Sequence, residues 1–130
     1  MTNGIVTAAL VMALQGAESQ NGDASCHGDQ GRSHGVMQIQ RAVIHDVNAV
    51  YGTQFTLQDS HQPLKARQVC VLYLQYWGLR YKATTGRTPT PEVLARIWNG
   101  GPHGYKRNAT RKYWSCRVQP RLRALQAPSA

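Results

Sequence analysis

Acidic residues are scarce in this chain, with 6 Asp and Glu against 15 Lys and Arg and a formal net charge of +9 over 130 residues. The imbalance is uneven. No acid follows Glu92, whereas Arg96, Lys106, Arg107, Arg111, Lys112, Arg117, Arg121 and Arg123 do. Such a field concentrates anionic partners, whether nucleic acid, acidic membrane or bacterial wall polymer, without choosing among them. Cysteine is also sparse. Cys26, Cys70 and Cys116 lie far apart with no C-x-x-C pair or histidine cluster, which excludes a zinc site and leaves either free thiols or one disulfide. Long apolar runs are missing as well. The run at 5–14 is too short to span a bilayer and no basic residue precedes it, so it is expected to be a core helix. An apolar fraction of 42% argues against disorder, and the length suits one domain, 1–130, with a genuine core.

The periodicity predicts a mainly helical chain. Residues 5–17 are good helix formers and nearly all apolar, with Gly16 either ending that helix or leaving room for a ligand beside Glu18. Turn residues cluster from Asn21 to Gly31, and Gly35-Val36-Met37-Gln38-Ile39 alternates as a short strand does. Helical spacing resumes at 41–51, with Val43, Ile44, Val47 and Val50 on one side and Gly52 as the stop. A connection at 53–60 offers Asp59 or Ser60 as the cap of a central helix at 63–82, which carries Leu64, Val69, Leu72, Tyr73, Tyr76 and Leu79 and which Gly78 is expected to bend. Thr90-Pro91-Glu92 starts a brief helix that Asn99-Gly100-Gly101-Pro102 ends. A basic helix at 109–125 follows, kinked or split by Pro120.

A census of the acids narrows the chemistry. Glu92 suffices as a helix-start residue and Asp59 as a cap; Asp46 suits a solvated helix face or an ion pair, and Asp23 a turn. Glu18, at the end of an apolar helix, and Asp29, in a Gly-rich loop, are left over. An apolar setting raises a carboxyl pKa and keeps its proton, whereas a hydrated loop aspartate stays ionised. Two such acids facing each other can cleave a glycosidic bond. The turn Trp98-Asn99-Gly100-Gly101 suits a sugar, offering a flat indole, an amide and close backbone approach. Trp98 reads equally well as core, and Asn99 as a helix C-cap. Ser33, His34, Gln38 and His103 complete the candidate cleft residues.

Several blocks taken in order carry a resemblance. These are Glu18-Ser19, the eleven-residue step to Asp29, Gly35 to Gln38-Ile39, Asp46, Cys70, Tyr73-Leu74, the 85–90 loop, Ala95-Arg96-Ile97-Trp98-Asn99-Gly100-Gly101-Pro102-His103-Gly104, and Thr110 to Tyr113-Trp114. The chain resembles the invertebrate-type, destabilase-like lysozyme family in a cysteine-poor version, with a weaker likeness to goose-type lysozymes and lytic transglycosylases. The resemblance implies a lysozyme-like α+β fold, mainly helical with a small β region beside the cleft. It also implies Glu18 as general acid and Asp29 as nucleophile or base on the β-1,4 bond between N-acetylmuramic acid and N-acetylglucosamine of peptidoglycan, with no metal and no cofactor.

Departures from the family pattern modify this expectation. His34 and Val47 stand where the family has cysteines, Cys26 and Cys70 match cysteines that could pair, and Cys116 has no counterpart. Ser33 occupies the first position of the family's isopeptidase Ser/Lys pair, but Gln40 replaces the Lys, so isopeptidase activity is not expected. A monomer is expected, either secreted or made in a bacterial or phage setting and released to the wall, with the basic C-terminal helix binding anionic wall polymers. Two alternatives stand beside the muramidase: a lytic transglycosylase giving 1,6-anhydro products, and a non-catalytic basic module binding wall polymer or nucleic acid. No nucleic-acid motif accompanies the basic stretch.

Overall fold

The computed structural model describes residues 5–19, 27–28 and 33–128, with the backbone alone at 27–28. The first helix, α1 (Ala8–Ser19), begins where the Thr7 hydroxyl accepts a hydrogen bond from the Leu10 N–H (3.2 Å). That cap starts the helix three residues later than the apolar run suggested. Leu10, Val11, Ala13, Leu14 and Ala17 are buried, so α1 is a core helix. It continues through Gly16, which neither ends it nor leaves room for a ligand. A Cβ at Gly16 would lie 2.9 Å from Cδ of Arg121, so the missing side chain makes room for that arginine. The helix end therefore carries Glu18 in its last turn, which fixes the direction of the side chain.

The small antiparallel sheet contains β1 (His27–Gly28), β2 (Ser33–His34) and β3 (Ile39–Gln40), in that spatial order. The strand expected at 35–39 is instead mostly the turn joining β2 to β3. Two left-handed residues make it, Gly35 (φ 76°) and Gln38 (φ 51°), and the Gln38 N–H closes it on the Gly35 carbonyl (3.1 Å). Val36 and Met37 are both fully buried, so the apparent alternation was a turn plugging the core.

Helix α2 (Arg41–Tyr51) matches its expected bounds and ends at Gly52 (φ 67°), whose N–H reaches the Asn48 carbonyl (2.9 Å). Ile44 and Val47 face the core, while Val50 is exposed. The cap expected at Asp59 or Ser60 belongs to a different element. Thr56 and Asp59 form a reciprocal capping box on a 3-10 turn, Leu57–His61, and the next helix starts at Pro63 with no side-chain cap. That helix, α3 (Pro63–Thr85), buries Ala66, Val69, Cys70, Tyr73, Leu74 and Gly78 and leaves Leu64 and Leu79 exposed. It runs through Gly78, where a Cβ would come within 3.1 Å of Cδ2 of Leu94; the glycine lets α4 approach closely.

Helix α4 (Pro91–Gly100) has the anticipated start, with Thr90 accepting from the Val93 N–H (3.2 Å), and it ends at Gly101 (φ 89°). Buried Arg96 ties α4 to the chain that follows. Its guanidinium reaches Oε2 of Glu92 (3.0 Å), Oγ1 of Thr110 (2.8 Å) and the Arg107 carbonyl (3.1 Å). The basic helix expected at 109–125 runs unbroken at 111–126, after two 3-10 turns (Gly104–Lys106 and Asn108–Thr110), but its first part is a π turn (Tyr113–Val118) that leads into α5 (Gln119–Gln126). The π turn gives way to α5 just before Pro120, which has no N–H to continue the ladder. One cluster of buried side chains drawn from all four long helices and the hairpin forms the core.

Candidate active site

The cleft has a volume of about 620 Å³ and a largely polar lining. The hairpin and α2 supply one set of lining residues: Ser33, Gln38, Gln40, Ala42, Val43 and Asp46. Strand register explains the first of these. Ser33 pairs with Gln40 and His34 with Ile39, and cross-strand partners share a face. Ser33 and Gln40 thus turn to the cleft, while Ile39 is buried in the core. His34 goes with Ile39, away from the cleft, and meets His61 edge to face (5.5 Å between centroids). It does not line the candidate substrate site, and neither does exposed His103.

The second set comes from α4 and the chain after it: Trp98, Asn99, Gly100, Gly101, Pro102 and Arg107. Trp98 combines both expected roles. It is half-buried against Tyr73 (5.7 Å between centroids, T-shaped) and still lines the cleft. Asn99 is exposed to the cleft and does not cap the helix, because the Gly101 N–H bonds the Ile97 carbonyl (2.8 Å).

Glu18 lies in this same cleft, and buried Tyr113 donates a hydrogen bond to its Oε2 (2.5 Å). Arg117, also on the cleft, donates to the Ala17 carbonyl at the end of α1. The π turn presents both residues to the end of α1, since the wider coil moves side chains out of the order a continuous α-helix would impose. Burial, then the Glu18 charge and hydrogen bond, push the Tyr113 phenol well above its usual range, so it is a neutral donor. Beneath Glu18, Cys70 is a buried free thiol, pushed up by burial and then by the Glu18 charge. The Cys26–Cys70 bridge is therefore not formed. Cys26 itself lies outside the described residues, as does Asp29, and Cys116 is an exposed free thiol.

Asp46, expected on a solvated helix face or in an ion pair, lines the cleft. Ala42, Val43 and Asp46 share one face of α2, and that face lines the cleft. Among the described residues, Asp59 pairs with Lys65 (3.3 Å) and Glu92 with Arg96 (3.0 Å), whereas Asp46 has no hydrogen-bond or ion-pair partner. Burial and then the Asp46 charge raise the Tyr73 phenol to about 12. Cys70 and Tyr73 are one turn apart on α3, so Glu18 and Asp46 act on adjacent turns of the helix beneath the cleft. Among the described residues no group of three His, Cys, Asp or Glu side chains is placed to hold a metal ion, and no helix is long and apolar enough to cross a membrane.

A helical domain with a small hairpin beside an acid-bearing cleft is a lysozyme-like α+β fold. A chain in the crystal structure of Aeromonas hydrophila PliI in complex with Meretrix lusoria lysozyme superimposes with a TM-score of 0.68 and 26% identity, covering 98% of this chain and 96% of that one. Lysozyme 1 of Crassostrea virginica is 32% identical over 119 residues, 91% of this chain. The chain spans 61% of that protein's length. No protein-family model matches. The two likenesses bear out the resemblance to the invertebrate-type lysozyme family.

Proposed function

We propose that the protein is a lysozyme-type glycosidase, a muramidase cutting the β-1,4 bond between N-acetylmuramic acid and N-acetylglucosamine in peptidoglycan. The observation that carries this reading is Glu18, held in a sugar-sized polar cleft by a buried tyrosine. Glu18 gives its proton to the glycosidic oxygen as the C1–O bond breaks, and water completes the hydrolysis at C1. Asp29 is the ionised second carboxylate. Its chain neighbour Gly28 pairs with Ser33, a cleft residue, which supports that assignment. Trp98 and Asn99 supply an apolar face and an amide for a sugar ring.

Exposed Arg111, Lys112 and Arg123 attract anionic wall polymer to the protein, while Arg117 and Arg121 are committed to carbonyls of the fold. Digesting purified walls and weighing the fragments tests the reaction. Hydrolysis leaves free reducing ends. Fragments lighter by one water would instead identify a lytic transglycosylase, and intact walls would leave only a binding module.

A further inference from the structure

The cleft carries opposite charges on its two sets of lining residues. Asp46, on α2, is half-buried and has no hydrogen-bond or ion-pair partner among the described residues. Arg107, on the α4 side, is exposed. Its side chain makes a single long hydrogen bond, to the Gly100 carbonyl (3.4 Å), and meets no carboxylate among the described residues. The backbone of Arg107 is nonetheless fixed, since its carbonyl accepts from both the Arg96 guanidinium (3.1 Å) and the Thr110 N–H (3.1 Å). A guanidinium on an anchored backbone, with most of its donors unused, is suited to a planar carboxylate. Beside Gly101, a Cβ would meet nothing within 4 Å, so the wall is open there to a bulky substituent. Asp46 neighbours the Tyr73–Trp98 aromatic pair, where a carboxylate can accept from the hydroxyl and amide donors of an uncharged sugar and repels an acidic one.

We infer that Arg107 receives the carboxylate of an acid-bearing sugar while Asp46 receives the neutral sugar's donors, so that the cleft discriminates an alternating acidic glycan from a neutral homopolymer. The inference rests on the glycan-cleaving reading and names its substrate preference.

Calorimetric titration in a Glu18→Gln background tests it without cleavage. The probes are an alternating N-acetylglucosamine/N-acetylmuramic acid tetrasaccharide, its carboxyl methyl ester, and the N-acetylglucosamine tetramer. Adding Arg107→Gln is expected to weaken the acid form about five- to tenfold and leave the ester and the neutral tetramer within twofold. Arg107→Lys is expected to recover part of the loss. Adding Asp46→Asn is expected to weaken the acid form and the neutral tetramer by a similar factor, since both place a neutral sugar against Asp46; unchanged affinity for both would overturn its part in the inference. Under Arg107→Gln, equal losses on acid and ester, or no loss on either, would overturn the inference. Wall digestion by the otherwise unaltered chain is run alongside: intact walls there would sink the hydrolase reading, while the titrations still decide the charge preference.

Discussion

Replacing Tyr113 with Phe removes one hydroxyl and keeps the buried ring. That hydroxyl donates to Oε2 of Glu18 at 2.5 Å, a short bond to a group that is charged in one of its two states. A hydrogen bond to an ionised partner contributes about 1.5–3 kcal/mol. The bond favours the ionised glutamate over the protonated one, so its loss raises the Glu18 pKa. At 1.36 kcal/mol per pH unit, that free energy corresponds to about one to two units on the pH axis of the rate profile. A general acid works only while protonated, so the alkaline limb of the kcat–pH profile should move up by about the same amount. The acid limb, set by the ionised partner, should stay. Because Phe fills the same space, the chain should still fold, with the melting temperature at pH 7 lowered by about 5–10 °C for the lost hydrogen bond. The assay is the rate of release of reducing ends from soluble wall glycan between pH 4 and pH 9. An unmoved alkaline limb with normal folding would refute the assignment of Tyr113 as the residue that positions and tunes Glu18.

Three further expectations concern stability. Gly35→Ala would place its Cβ 1.9 Å from the Ser60 carbonyl oxygen at a left-handed φ. It should cost about 3 kcal/mol or more and lower the melting temperature by about 10 °C, as followed by circular dichroism. Thr110→Val removes the hydroxyl that accepts from buried Arg96 and donates toward the Gly104 carbonyl (2.7 Å). Chemical denaturation should show a loss of about 2–3 kcal/mol. Cys70, Tyr73 and Tyr113 all hold their protons more tightly when folded, starting from ordinary values of 9.0 for the thiol and 10.0 for the phenols. Above those values the unfolded chain releases protons that the folded chain retains, so stability should be intact below about pH 9 and fall as pH rises. Cys70→Ala should delay the onset of that fall in melting temperature toward pH 10; an identical onset would contradict it.

Local signals carried much of the fold. Gly52, Thr90-Pro91 and Gly101 punctuate α2 and α4 as their sequences suggested, because caps and left-handed stops act within a few residues. The 35–39 segment was misread because a turn with two left-handed residues can mimic the period of a strand. The π turn within the basic helix escaped because it has no local marker besides the proline that follows it. At the site, Glu18, Gln38, Trp98 and Asn99 were legible and do share one cleft. Asp46 was not, although its spacing from Ala42 and Val43 held the signal: α2 turns one face to the core and another to the cleft, and a helix alone does not say which polar face meets ligand. Tyr113 and Arg117 are 95 and 100 residues from their partners, a proximity that only tertiary packing reveals.

The most direct test of the central claim is the loss of turbidity of a bacterial wall suspension under Glu18→Gln beside the unaltered chain, with both shown to be folded by circular dichroism. The unaltered chain should clear the suspension and release reducing ends, and the variant, which has no proton to give, should do neither. Clearing by the variant at an undiminished rate would contradict the account.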